Sequence, residues 1–225
     1  MKSVSYMRFP AWPYLAWPCA ALAGLVVPAL AILLLADAAA PLASAGGPIF
    51  AVGLMGSGMI GAAAGGSLRF GVFLALATGA GLIILSLALG MSPPSYAASI
   101  GLAFVTAAIS FAARGALFAR SASEKGWIIA LGVVGGEAAV VATAFAAPGA
   151  LPDWLLALLP AQWASTAIQT ALAGTGMRAA IRPLVALAGT AAATLLVSSL
   201  WPRRWPYLVM FTTWIGVSAL VLYGA

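Results

Sequence analysis

Of the four carboxylates in the chain, Asp37, Glu124, Glu137 and Asp153, only Glu137 stands within a long apolar run. That run is WIIALGVVGGEAAVVATAFAA, from Trp127 to Ala147. As a helix its length is about 30 Å, the thickness of bilayer hydrocarbon, and Glu137 falls roughly 16 Å from the Trp127 end, close to the midplane. A carboxylate at that depth is costly unless it is paired, hydrated or protonated. The sequence offers it surroundings of suitable chemistry. Thr106, Ser110 and Arg114 recur every four residues and form a polar strip on an apolar helix. Gln162, Thr166 and Gln169 recur at helical spacing on the most polar face of the chain. These residues are candidates for a substrate or proton path around Glu137, with an Arg114–Glu137 ion pair as one arrangement. Arg114 alone also reads as a side chain snorkelling toward an interface. The competing reading of Glu137 is a carboxylate that joins helices by bonding Thr, Ser, Gln or a backbone group of a neighbour.

Other chemistry is excluded by what the chain lacks. There is no His, no Asn, and one cysteine, Cys19. An intrachain disulfide, a His-containing zinc site, bis-His haem and a Ser-His-Asp triad are therefore ruled out. Four dispersed acids give no ligand set for two-metal catalysis, so no cofactor or metal is expected. Gly-Ser-Gly-Met-Ile-Gly at 56–61 matches the spacing of a dinucleotide fingerprint. No β-rich run precedes it and no acid follows about twenty residues on, so the context refuses that reading. Gly53, Ser57, Gly61 and Gly65 instead form one helical stripe for close helix packing, and Gly132 and Gly136 mark a similar face beside Glu137.

The elements that must position these residues are apolar helices. The 225 residues are 64% hydrophobic and 6% charged, with a mean hydropathy of +1.11, whereas a soluble domain is about a quarter charged. The chain reads as one all-α polytopic membrane domain. Spans are expected at about 15–35, 48–66, 72–89, 97–119, 127–147, 161–177, 184–200 and 208–223, here A to H. Span A also has signal-peptide features, with small residues at 36–40, but is taken as a span kinked near Pro28. Segment 155–160 is either the start of span F or a short surface helix. A seven-span chain, or a re-entrant span G, is the alternative count.

Ten Lys and Arg give a net charge of +6 but are scattered singly, which argues against a nucleic-acid partner and for an orientation signal. Eight spans with both termini in a bacterial cytoplasm place Lys2, Arg8, Arg69, Arg114, Arg120, Lys125, Arg178 and Arg182 inside and only Arg203 and Arg204 outside. A tandem repeat of A–D and E–H is also suggested. The pairs Asp37/Asp153, Arg69/Arg178 and Tyr96/Tyr207 are offset by 116, 109 and 111 residues, and halves of four spans would be parallel repeats.

The leading expectation is a small secondary transporter or permease, coupled to protons through Glu137 and moving a small polar or anionic solute. The alternative is a non-catalytic assembly subunit, packed against membrane-protein partners or copies of itself as well as lipid. Its motive is the eight Trp and the very short loops. An intramembrane lipid enzyme is the weakest reading, since no His accompanies the Ser and Thr hydroxyls and the only available buried carboxylate is Glu137.

Overall fold

A computed structural model describes residues 12–36, 42–94, 96–174 and 177–223, and these are helical almost throughout. Lys2, Arg8 and Asp37, and the side chain of Arg178, lie outside the described residues. Helix α1 (12–36) joins Trp12–Ala21 and Val27–Ala36 through a π turn at Leu22–Val26. Its cause is Pro28, which lacks an N–H and would crowd the carbonyl four residues back. The chain widens one turn earlier, where the Val27 N–H reaches the Leu22 carbonyl. Helix α2 (42–65) has a second π turn at Gly56–Ile60 and is stopped by Gly66 at φ 61°. Ser67 caps α3 (Leu68–Ala88) by accepting from the Phe70 N–H. Helices α4 (Ala97–Ala122) and α5 (Gly126–Ala146) meet at a 3-10 turn, Ser123–Lys125, where Ser123 takes φ 48°. The short α6 (Asp153–Ala157), α7 (Pro160–Ala173), α8 (Met177–Ser199) and α9 (Trp205–Tyr223) follow.

Among the described residues, six stretches are long and apolar enough to cross a membrane, and one of them, Ala97–Ala146, contains both α4 and α5. Helix α7 is not among them. The outward faces fit a lipid environment: Leu34, Phe73, Ile84, Leu208 and Ile215 are all more than 60% exposed. The interior is built largely of small residues, with Ala107, Ala108, Ala112 and Ala113 of α4 fully buried.

Small residues set how closely the helices approach. A Cβ on Gly53 would lie 2.6 Å from Leu82 Cδ1 and 3.0 Å from the Gly24 carbonyl; one on Gly61 would lie 2.6 Å from Leu74. Gly65 meets the ring of Phe70, and Ser57 sits against Gly24, whose own Cβ would come within 2.5 Å of the Ser57 nitrogen. The two π turns thus face each other across α1 and α2. Gly115 of α4 lies against the Met59 carbonyl. Gly132 and Gly136 have no such neighbour among the described residues. Both are exposed and nothing lies within 4 Å of a Cβ built on either, since α5 turns this face outward.

The direction of the last helices differs from simple alternation. One end of the bundle, called here the near end, gathers Ala16, Gly65, Gly66, Ala119 and Trp127. The far end gathers Leu35, Pro48, Phe145 and Ala146. Helix α7 starts beside Glu137, halfway along α5, and runs to the far end. There Gln169 and Leu172 meet Gly47 and Gly46, and Gly174 approaches Tyr96. Helix α8 returns to the near end, where Arg120 donates to the Ser198 carbonyl, and α9 comes back to place Val221 and Leu222 beside Asp153 and Pro183. The described residues nearest the two chain ends, Trp12 and Tyr223, therefore lie at opposite ends of the bundle, because the chain breaks before Pro160 and α7 starts level with the middle of α5. A tandem repeat would make α4 and α9 equivalent, yet α4 packs on α2, α3, α5, α7 and α8 while α9 packs chiefly on α8 and α6.

Candidate functional site

The sharp turn at Ser123–Lys125 folds α5 back along α4, and Gly126 permits it, since a Cβ there would lie 2.6 Å from the Phe118 carbonyl. The hairpin brings Arg114 level with Glu137. Arg114 Nη1 donates to Glu137 Oε1 at 2.6 Å, with the side chains 16% and 9% exposed. The other carboxylate oxygen, Oε2, accepts from the Ala161 N–H at 2.9 Å. Ala161 is the second residue of α7. Pro160, at the first position, needs no hydrogen-bond partner for its nitrogen, and the N-cap residue Leu159 has no side-chain acceptor to offer. Glu137 therefore caps α7 from another helix, with its negative charge on the positive end of the helix dipole.

A helix of 14 residues spans about 21 Å, well short of a full crossing. The backbone where it begins must find partners within the protein. It does so through two indoles: Trp163 Nε1 donates to the Ala157 carbonyl at 2.9 Å, and Trp214 Nε1 of α9 donates to the Leu158 carbonyl at 3.0 Å. Segment 157–161, with Ala157, Pro160 and Ala161 buried and Leu158 and Leu159 half-buried, is thus a tip held by Trp163, Trp214 and Glu137.

A cavity lies on either side of this tip. The first, about 240 Å³, reaches toward the near end and is bordered by Arg114, Glu137, Thr190, Thr194, Phe211 and Trp214. The second, about 230 Å³, reaches toward the far end between Asp153, Gln162, Trp163, Thr166, Pro183 and Leu222. Leu158, Leu159 and Pro160 wall the first and Ala157 walls the second, so the tip contributes a wall to each. The Arg114 guanidinium also lies 5.0 Å from the Phe111 ring centre, a cation–π contact, while its Nε and Nη2 are buried without hydrogen-bond partners.

Among the residues singled out from sequence, Glu137 and Arg114 meet directly, and Gln162 and Thr166 share the far cavity. Thr166 Oγ1 donates to the Gln162 carbonyl. Gln169 Oε1 accepts from the Gly47 N–H at 2.9 Å, tying α7 to α2 rather than facing Glu137. Thr106 bonds back to the Leu102 carbonyl of its own helix, and Ser110 is buried with no partner for its hydroxyl. Neither borders the two cavities. Thr190 and Thr194, four apart in the sequence, and the indoles of Trp163 and Trp214 are further residues of the site that the sequence does not single out. Pro160 followed by a run ending at Gly174 was the available signal of a short helix; nothing in the sequence marks Trp214. Among the described residues no cluster of His, Cys, Asp and Glu could hold a metal ion. No protein-family model, curated protein or solved structure matches the chain.

Proposed function

We propose that the protein is a small secondary transporter of a bacterial cytoplasmic membrane, in which α6 and α7 form a re-entrant gate and Glu137 couples its release to a proton. One observation carries the reading: the N-terminus of a half-length helix sits at mid-depth, capped by a buried carboxylate, with a cavity on each side. Discontinuous helices whose ends meet near the midplane are how transporters build sites and gates in a bilayer. In this arrangement α1 to α5, α8 and α9 cross and α7 does not. Charge counting tolerates this. With span F re-entrant, Arg203 and Arg204 join the side of Arg69, Arg120 and Lys125, and Arg178 and Arg182 move across, so with Arg114 held at mid-depth on Glu137 the bias is seven against two when Lys2 and Arg8 are assigned with the helix they precede.

The gate works by charge. While Glu137 is ionised it neutralises Arg114 and holds the Ala161 N–H, fixing the tip between the cavities. A proton on the carboxylate removes the charge from both interactions, and the tip is then retained mainly by the two indole hydrogen bonds. The tip shifts, one cavity opens to the other, and a small polar or weakly anionic solute passes with the proton. The test is uptake into proteoliposomes of a panel of such solutes under an imposed pH gradient. Glu137→Gln is expected to abolish the pH dependence; transport with unchanged pH dependence refutes coupling through Glu137.

A second reading, an assembly subunit, is favoured by the outward face of Gly132, Gly135 and Gly136, which no described helix approaches. A partner helix would find backbone-close contact there. Gly136→Leu should then abolish copurification of a stoichiometric membrane-protein partner while leaving the fold intact.

A further inference from the structure

We infer that the near cavity is a binding site for a small monocarboxylate with an apolar body, held by the unpaired edge of Arg114. This deepens the transporter reading by naming its substrate class, and rests on that reading for its role though not for the binding. A guanidinium has five N–H donors, and the edge formed by Nε and one terminal nitrogen matches the two oxygens of a carboxylate. Arg114 uses Nη1 on Glu137, while Nε and Nη2, the atoms of that edge, are buried without partners. Unsatisfied buried donors of a charged group are rare and call for a counterpart. The side chain already borders the cavity, so reorienting the guanidinium head, without backbone movement, presents the edge to a ligand.

The remaining walls describe the rest of the ligand. Leu117, Phe118, Met210, Phe211 and Trp214 make the cavity predominantly apolar. Thr190 and Thr194 donate their hydroxyl protons to the Ala186 and Thr190 carbonyls, so neither offers a donor that competes with Arg114 for an anion. At about 240 Å³ the space is below the roughly 300–1,000 Å³ of drug-sized sites, which limits the ligand to a small acid. Such an acid brings the counter-charge that Arg114 loses when Glu137 is protonated. The ligand carboxylate, on the Nε and Nη2 edge, then serves as the counter-charge of Arg114, and proton and anion are bound together.

The experiment is calorimetric titration of the full chain in lipid nanodiscs with sodium benzoate, using benzyl alcohol and benzylamine as neutral and cationic counterparts. Arg114→Lys keeps a cation opposite Glu137 but removes the planar edge, and Met210→Trp fills the cavity without touching the ion pair. Saturable benzoate binding is expected, weakened about tenfold or more by Arg114→Lys and lost in Met210→Trp, with neither counterpart binding comparably. No saturable binding to the wild type, or equal affinity in Arg114→Lys, overturns the inference. Benzoate binding without flux in proteoliposomes supports the site and removes its transport role. Flux of another solute without benzoate binding overturns the site and leaves transport standing.

Discussion

Removing either partner of the Arg114–Glu137 pair is predicted to destabilise the protein far more than removing both. The side chains are 16% and 9% exposed, so solvent screens the pair little. Glu137→Ala strands the guanidinium, at a cost of about 3–5 kcal/mol for breaking a buried pair, and also uncaps α7, which adds about 0.5–2 kcal/mol. Arg114→Met leaves the carboxylate with only the Ala161 N–H and costs about 3–5 kcal/mol. The double variant leaves no buried charge, so it loses little more than the cap and some packing, about 1–3 kcal/mol. The singles therefore sum to roughly 6–12 kcal/mol and the double falls several kcal/mol short of that sum. Reversible unfolding of the four proteins in mixed micelles, followed by helical circular dichroism, measures the coupling. Additivity within about 0.5 kcal/mol would refute the view that these two charges are bound to each other in the folded protein.

Glycine contacts and chain direction give further tests. Gly56→Ala places a methyl group 2.6 Å from the Ala23 backbone carbon, which cannot rotate away, and should cost about 1–3 kcal/mol by the same unfolding assay. Gly136→Ala meets nothing within 4 Å and should be neutral, or stabilising by up to about 1 kcal/mol from helix propensity. In a Cys19→Ser background, Gly149→Cys and Tyr223→Cys should react with an impermeant thiol reagent from one face of the membrane and Ser123→Cys from the other. Labelling of Tyr223→Cys from the same face as Ser123→Cys would restore the eight-crossing arrangement.

The positions of the helices are legible in the sequence because hydropathy and Gly or Pro breaks dominate it, and the pairing of Arg114 with Glu137 follows from the short connection at 123–125. The reversal of α7 is not legible. LLALLP is as apolar as any span, Pro160 is an ordinary helix start, and the basic residues are strongly biased to one side under either topology. What decides it is a long-range bond, from a carboxylate in α5 to a backbone N–H 24 residues on, that hydropathy does not register. The glycine faces divide for the same reason. The stripe of Gly53, Ser57 and Gly61 meets α1 and α3, while the equally glycine-rich Gly132 and Gly136 meet nothing, and spacing alone cannot tell them apart.

In the proposed gate the tip at 157–161 gives way between the two cavities. Leu159→Cys, in the Cys19→Ser background, reports this through labelling by an impermeant thiol reagent added to each side of oriented vesicles in turn. Reaction from both sides is expected, faster when Glu137→Gln weakens the hold on Ala161. Protection from both sides, under conditions where Gly149→Cys reacts, would overturn the gate.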